Sequence, residues 1–466
     1  MSGDRLAELG RVHVIGIGGA GMSALGRLFA ARGVELSGSE LRESRALTPL
    51  RALGVSIHLE QSSSSLGDVD TVVVSTAIPA KNPELRAAHE RGIRVLHRAE
   101  ALGYAMSGRT AVVVAGTHGK TTTTSMLAVA LQHCGSDPSF YIGAQMNETG
   151  TNAHAGSGPY FLAEADESDG SFLLLDPQVA VVTNVEADHL DYYGTAEGVE
   201  AAFRAFVDRV AAEGAIVSSA DDPGAVRLSE YARSVGRDVV TFGQDGGSDL
   251  RIEALRVEPD GTVFDAVFRG RRLGEVRLRV HGLHMAMNAG AALATAITLG
   301  FSPGQVCEGL GLYTGARRRF EFKGAANGVS VYDDYAHHHT ELRATLTAAR
   351  QLVGEGRLVV AFQPLRFSRT AVFHKELGEA LGLADDVVVM EVFGSNKSPI
   401  PGATGALVAA SVPLAAEHVH FEPSFSAVAS WLADRARPGD LVLTLGDGPV
   451  TMLGPEVVER LEVRAP

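Results

Sequence analysis

Ala111-Val112-Val113-Val114-Ala115-Gly116-Thr117-His118-Gly119-Lys120-Thr121-Thr122-Thr123-Thr124 decides how the rest of the chain is read. The run to Ala115 is the continuous apolar, β-branched kind that forms a buried parallel strand. It breaks at Gly116 and Gly119 and resumes through Thr124-Ser125-Met126-Leu127-Ala128-Val129-Ala130-Leu131 as a helix. A glycine-bounded strand-to-helix turn aims backbone N–H groups and the positive helix end at one point, and Lys120 adds a full charge there. Polyphosphate is the natural occupant. Thr121 follows the lysine, where a hydroxyl can ligate the Mg²⁺ that accompanies a nucleotide. The usual pattern puts four residues between its first glycine and the Gly-Lys pair. Here only Thr117 and His118 separate the glycines, and Val114 stands where the longer pattern needs glycine.

Around this turn lie 466 residues, too many for one core, so about three domains are expected. Hydrophobic residues at 45% and charged ones at 21% are those of a globular protein. The net charge of −14 argues against nucleic acid or an anionic membrane as a general partner. Cys134 and Cys307 are the two cysteines, so neither a disulfide framework nor a cysteine-rich metal site is available. No run has the length of a transmembrane helix and no signal-peptide core opens the chain, so a cytoplasmic protein is expected. Five lysines stand against thirty-six arginines, which leaves few candidates for any lysine-dependent role.

Upstream, residues 11–17 read as a strand. Gly16-Ile17-Gly18-Gly19-Ala20-Gly21 follows, then an apolar helix to Ala31, a second strand and Ser39-Glu40. This is a G-x-G-x-x-G turn in a βαβ setting with an acid about twenty residues on. By itself it supports a nicotinamide dehydrogenase or a redox-sensing regulator. The glycines show that a phosphate approaches backbone at a helix start, not which nucleotide carries it. Strands are also expected at Thr71–Val74, which leads into the loop Ser75-Thr76-Ala77, and at Ile93–Leu96. A short helix over Glu100–Met106 precedes a domain boundary near 107.

Downstream, two acidic clusters follow apparent strands of the sheet that carries Lys120. Phe161-Leu162-Ala163 leads into Glu164-Ala165-Asp166-Glu167-Ser168-Asp169, and Val179 to Thr183 leads into Asn184-Val185-Glu186-Ala187-Asp188-His189. Carboxylates and a neutral imidazole at such strand ends hold Mg²⁺ against phosphates. Residues 245–280 read as hairpin strands, and an alanine-rich helix begins near His281. His284 and Asn288 share i, i+4 spacing on that helix. A third domain follows Gly315-Ala316-Arg317-Arg318-Arg319. Its strand Val329–Tyr332 ends in Asp333-Asp334-Tyr335-Ala336-His337-His338-His339, and Leu358–Phe362 ends in Gln363-Pro364-Leu365-Arg366-Phe367-Ser368-Arg369. Three adjacent histidines cannot all face one point on a regular element, so zinc is not expected there. Two guanidinium groups presented together by Arg366 and Arg369 suit a carboxylate.

The shortened turn Gly116 to Thr122 resembles the Mur ligase and folylpolyglutamate synthetase superfamily. The string Gly16 to Ser23 resembles the UDP-binding turn of the Mur ligases that add the first amino acid to a UDP-sugar acid. The resemblance extends along nearly the whole chain. It implies three α/β units: a Rossmann-like UDP-sugar domain over 1–107, a central P-loop ATPase-like domain over 108–314, and a C-terminal Rossmann-like amino-acid domain over 315–466. The implied activity is ATP-dependent joining of a small L-amino acid, L-alanine first, to UDP-N-acetylmuramate through an acyl phosphate, in peptidoglycan precursor synthesis. ATP and Mg²⁺ are the implied cofactors, with neither nucleic acid nor membrane as partner, for a monomer or weak homodimer. A divergent paralogue using another amino acid or nucleotide sugar is the alternative within the family.

Residue by residue, the resemblance places the UDP-sugar on Gly18, Gly19, Ala20, Gly21, Met22, Ser23, Ser39, Ser75, Thr76 and Ala77. ATP falls on Gly116, Thr117, His118, Gly119, Lys120, Thr121, Thr122, His284, Asn288, Arg318 and Asp334. The magnesium site falls on Thr121, Glu164 and His189, with Asp166, Glu167 and Asp169 as weaker candidates. Lys120, His189, Arg318 and His337 are implied to be catalytic, Arg318 at the ATP γ-phosphate with Arg319 in reserve. Tyr335, His338, Arg366 and Arg369 are implied to hold the amino acid. Departures from the family strings are Met285 for asparagine, His339 for proline, Leu365 for histidine, and Asn396-Lys397 where an acidic pair is usual. Many relatives carbamoylate a lysine of the central domain. No lysine lies between Lys120 and Lys323, so no such modification is expected.

Overall fold

The computed structural model describes residues 4–395 and 397–463, which leaves Asn396 of the departing string outside the described residues. The chain forms two compact units: one of the residues up to Glu253 with Asp265–Val276 and Asn288–Leu312, the other of Ala254–Phe264, Arg277–Met287 and the chain from Tyr313 on.

In the first unit β1 (Val12–Ile15), β2 (Leu36–Ser39), β3 (Ser56–His58), β4 (Thr71–Val74) and β5 (Arg94–His97) form a parallel sheet in the order β3-β2-β1-β4-β5. This is a doubly wound sheet, and its order reverses between β1 and β4, where the crevice for a ligand opens. The Gly16–Gly21 turn leaves β1 and the Ser75–Ala77 loop leaves β4 at that crevice. A Cβ on Gly16 would lie 3.2 Å from Ile78 Cδ1, so the loop packs against the turn.

A ten-stranded sheet follows: β6 (Thr110–Ala115), β7 (Ser139–Tyr141), β8 (Ala153–His154), β9 (Tyr160–Glu164), β10 (Val179–Val182), β11 (Ala215–Ser219), β12 (Asp238–Gly243), β13 (Leu250–Glu258), β14 (Gly261–Phe268) and β15 (Arg271–Leu278). Its order is β15-β14-β13-β12-β11-β10-β6-β9-β7-β8, and β13–β15 contribute residues to both units. Ala111–Ala115 are buried because β6 lies between two parallel neighbours. Register pairs Val114 with Glu164 and Ala115 with Val182, so both acidic clusters emerge at the carboxyl edge beside Gly116. The helix Lys120–His133 is buried from Thr121 through Leu131. Helix Pro303–Leu310 crosses it closely: a Cβ on Gly309 would lie 2.8 Å from Ala130 Cα.

One hydrophobic cluster runs from Leu25 and Phe29 through Leu102 and Met106 to Phe161, Phe172 and Phe206. The first two sheets are therefore packed on a shared core, although position 107 reads as a boundary in the sequence. Phe172 stacks on Phe206 at 5.1 Å and meets Phe203 edge-on at 5.3 Å.

The second unit carries β16 (Glu321–Ala326), β17 (Val329–Asp334), β18 (Leu358–Phe362), β19 (Asp386–Val389), β20 (Val419–Phe421) and β21 (Leu441–Leu445), in the order β16-β17-β21-β18-β19-β20. The β16–β17 pair is antiparallel and the other pairs are parallel. Asp334 and Phe362 both pair with Leu445, which brings the ends of β17, β18 and β21 to one edge. Among the described residues, no helix is long and apolar enough to cross a membrane.

Candidate active site

The turn after β6 is built for close approach. Gly116 and Gly119 have φ of 133° and 83°, and a Cβ would collide with Thr183 Oγ1 at the first and Asn288 Oδ1 at the second. The turn is braced from β10: His118 N donates to Asn184 Oδ1 at 2.8 Å, and the Thr183 hydroxyl and Asn184 amide donate to His118 O. Asn288 reaches the same helix start, accepting from Thr123 Oγ1 at 3.2 Å.

Lys120 donates to Gly116 O at 2.6 Å, to Thr117 O at 3.1 Å and to Glu167 Oε1 at 2.9 Å, and its ammonium is also 2.9 Å from Glu167 Oε2. Burial works against its charge, but Glu167 and Glu164 outweigh it and hold the ammonium above the ordinary lysine range. Thr121 Oγ1 donates to Glu164 Oε1 at 2.8 Å, and Glu164 Oε2 accepts from Gly143 N at 2.6 Å. His189 sits at φ 53°, with Nε2 3.5 Å from Glu167 Oε1 and 3.6 Å from Asp188 Oδ2. Its Nδ1 is buried without a hydrogen-bond partner. The Thr121 hydroxyl and the Glu164 carboxylate are oxygen donors of the kind a hard divalent cation takes, and His189 adds a buried imidazole nitrogen without a hydrogen-bond partner.

The weaker acidic candidates have other partners. Asp166 accepts from Ser168 N and Oγ and from Arg98 Nη2, and Asp169 accepts from Ser171 N. Burial would raise the Asp166 pKa, but the Ser168 hydroxyl, Arg98 and Lys120 hold it below the usual carboxylate range.

At the other turn of this unit, Gly19 N donates to Gly16 O and Ser23 N to Gly19 O as the helix Ala20–Ala31 begins. The backbone N–H of Gly18 is held by Glu40 Oε2 at 3.0 Å, so the acid of the dinucleotide pattern sits on the turn itself. Ser39 Oγ donates to the fully buried Glu84 Oε2 at 2.5 Å, and Glu84 Oε1 lies 3.3 Å from His13 Nε2. The Glu84 and His13 contacts have no signal in spacing. Arg98, directly after β5, carries one, since residues at a strand's carboxyl end face the ligand crevice.

In the second unit Arg318, at φ 61°, has its guanidinium on the carbonyls of Gly446, Asp447 and Gly448 and on Asp333 Oδ2 at 3.4 Å. It braces the turn after β21. The Arg319 guanidinium lies 5.1 Å over the Tyr335 ring. Asp334 accepts from Phe320 N at 2.6 Å and Ala336 N at 2.8 Å, and burial, only partly offset by Arg319, pushes its pKa up to about 6. Burial and then Arg319 lower the His284 imidazole to about 4, which keeps it neutral near pH 7. His337 Nδ1 lies 2.9 Å from Tyr335 O. His338 caps the helix His339–Val353 in a capping box with Glu341. His339 thus occupies the first helical position, where the proline of the family string would sit.

Arg366 caps the helix Phe367–Leu381 with φ 58°, a conformation a side chain adopts only under constraint, and its N–H donates to Phe393 O at 2.9 Å. Arg369 lies in the first turn and is buried. The expected helix start is therefore present. Leu365 is buried and bridges Phe393, so the residue in histidine's place packs into the core.

Three family models cover the chain: "Mur ligase family, catalytic domain" over 11–110, "Mur ligase middle domain" over 114–296 and "Mur ligase, glutamate ligase domain" over 318–448. UDP-N-acetylmuramate–L-alanine ligase of Acidothermus cellulolyticus is 53% identical, over 98% of this chain and 96% of that protein. The protein of the same name from Saccharopolyspora erythraea is also 53% identical, over 98% and 95%. Among solved structures, the UDP-N-acetylmuramate–alanine ligase of Thermotoga maritima superposes with a TM-score of 0.80 at 28% identity, over 98% of this chain and 100% of that one. A murein peptide ligase of Psychrobacter arcticus superposes with a TM-score of 0.69 at 26% identity, over 98% and 99%.

Proposed function

The chain belongs to the Mur ligase family, and from that premise we propose that it joins L-alanine to the carboxylate of UDP-N-acetylmuramate with cleavage of ATP, in peptidoglycan precursor synthesis. The observation that carries this reading is the pair of glycine turns in the first unit, one with a buried lysine and one without. A phosphoryl group in transfer develops charge that a fixed cation stabilises, whereas a diphosphate that only anchors a sugar needs backbone N–H groups alone.

ATP lies with its phosphates on Gly116–Thr122, and UDP-N-acetylmuramate lies on Gly18–Ser23 and Ser75–Ala77. The substrate carboxylate attacks the γ-phosphorus and ADP leaves, which forms an acyl phosphate. The amine of L-alanine adds to the acyl carbon, and the tetrahedral adduct collapses with loss of phosphate. Lys120 spreads charge on the transferring phosphoryl group. Thr121, Glu164 and His189 would hold a magnesium ion, whose charge neutralises phosphate oxygens.

In the second unit Arg366 and Arg369 grip the α-carboxylate of the amino acid, with Tyr335, His337 and His338 beside it. Asp334 and His284 serve the nucleoside of ATP. Arg318, which also braces the turn after β21, or its neighbour Arg319 serves the γ-phosphate. The boundaries at 107 and 314 divide these tasks along the chain.

Phosphate release measured with UDP-N-acetylmuramate and a panel of amino acids tests the proposal. Release should require both substrates and be fastest with L-alanine, with glycine and L-serine following. One methylene discriminates by only ~1–3 kcal/mol, so these three are the close competitors. Product with a large or charged amino acid alone would replace L-alanine by the paralogue reading, and turnover of a nicotinamide cofactor would overturn the family's chemistry for this chain.

A further inference from the structure

We propose that Arg98 binds the carboxylate of the UDP-sugar acid, exchanging its partner Asp166 for the substrate. The inference rests on the function proposed above.

Arg98 is the first residue of the helix Arg98–Met106, which starts where β5 ends, and a His97/Glu100 capping box fixes that first turn. Its guanidinium lies directly over the UDP-sugar turn. A Cβ at Gly21 would fall 2.5 Å from Arg98 Nη1 and 2.6 Å from Tyr141 Oη, so the third glycine of the G-x-G-x-x-G string admits this arginine to the helix start. On its other side Nη2 donates to Asp166 Oδ2 at 3.1 Å, and Nη1 donates to the Tyr141 hydroxyl at 3.3 Å. Asp166 stands two residues beyond Glu164, the acceptor of the Thr121 hydroxyl. The guanidinium thus spans from the turn that holds the nucleotide sugar to the edge that holds the reacting phosphate. A substrate anchored at Gly18–Ser23 that delivers its carboxylate toward Lys120 must bring that carboxylate past this group.

The Asp166 contact is suited to exchange. The Arg98 side chain is 24% exposed and that of Asp166 45% exposed, so the carboxylate is the more accessible member of the pair. Asp166 keeps its bonds from Ser168 N and Oγ when Arg98 turns away. Replacing one carboxylate by another conserves the charge balance, and the planar fork of arginine matches either.

Calorimetry on the full chain, without ATP or magnesium, compares UDP-N-acetylmuramate with UDP-N-acetylglucosamine, the same nucleotide sugar without the lactyl carboxylate. Arg98→Gln is expected to weaken UDP-N-acetylmuramate about tenfold and to leave UDP-N-acetylglucosamine nearly unchanged. Asp166→Asn is expected to retain or tighten UDP-N-acetylmuramate binding. Should Arg98→Gln not fold, Arg98→Lys carries the same test with a smaller loss. Equal weakening of both ligands, or an Asp166→Asn variant that behaves like Arg98→Gln, would make the arginine a structural latch and overturn the inference alone. A wild-type chain that does not distinguish the two ligands would overturn the proposed substrate, and the inference with it.

Discussion

Two turns of the first unit begin alike and end differently. Both leave a buried parallel strand, bend at glycine and open a helix whose first N–H groups face outward. After β6 the turn closes on Lys120, held by Glu167 at 2.9 Å, with Thr121 and Glu164 alongside. After β1 the turn contains no lysine, and its Gly18 N–H is already met by a carboxylate, Glu40. The difference separates two tasks that phosphate gives a protein. A diphosphate that stays intact is recognised by backbone dipoles, while one whose charge shifts during reaction needs a fixed, compensated cation.

The comparison breaks most directly at Lys120. Lys120→Ala should lower turnover by a factor that corresponds to about 3–4 kcal/mol or more of transition-state stabilisation. UDP-sugar binding measured by calorimetry should persist, and its loss would mean the two turns do not bind separately.

The second unit sharpens the same point through its adjacent arginines, Arg318 and Arg319, which both lie over the Tyr335 ring. If Arg319 is the phosphate ligand, Arg319→Ala should cut kcat at least about tenfold. Arg318→Ala should instead lower the melting temperature, at ~2–4 °C per kcal/mol lost, since it releases the carbonyls of Gly446–Gly448. The reverse pattern would return the phosphate role to Arg318.

A gentler probe is the metal requirement. Glu164→Ala and His189→Ala should each raise the magnesium concentration for half-maximal activity by about tenfold. Flat titrations in both variants would leave the acidic clusters as solvated loops.

The smallest effect concerns Asp334, whose pKa is raised from 3.8 to about 6. The folded state holds this proton longer than the unfolded chain does. Its favourable contribution is therefore complete below the unfolded value and is lost as pH rises through about 6. Urea midpoints across that window should fall more steeply for the wild type than for Asp334→Asn, and parallel curves would show that the carboxyl does not titrate there.

Much of this is legible in the sequence. The β-branched run to Ala115, the glycines after it and the lysine that follows are neighbours in sequence, so local geometry carries their meaning. The same holds for Gly16–Gly21, for the helix that starts after Arg366, and for the acidic strings at two strand ends. What spacing could not reveal is which group each side chain holds. Spacing does not reveal that Arg318 holds carbonyls of the turn after β21, or that one hydrophobic core crosses position 107.

The sequence by itself determined the elements, the order of the two nucleotide turns and the residue types that could serve them, because strand, turn and helix are written in contacts a few residues apart. Tertiary structure alone decided that Glu167 holds Lys120, that Glu40 meets the Gly18 N–H, and that Arg98 reaches Asp166 across 68 residues. The first two pairings follow from the register of parallel strands, which sets residues from distant stretches side by side at one carboxyl edge, and the third from two sheets that share a core. No local period encodes that register; it is fixed when the buried faces of the sheets pack.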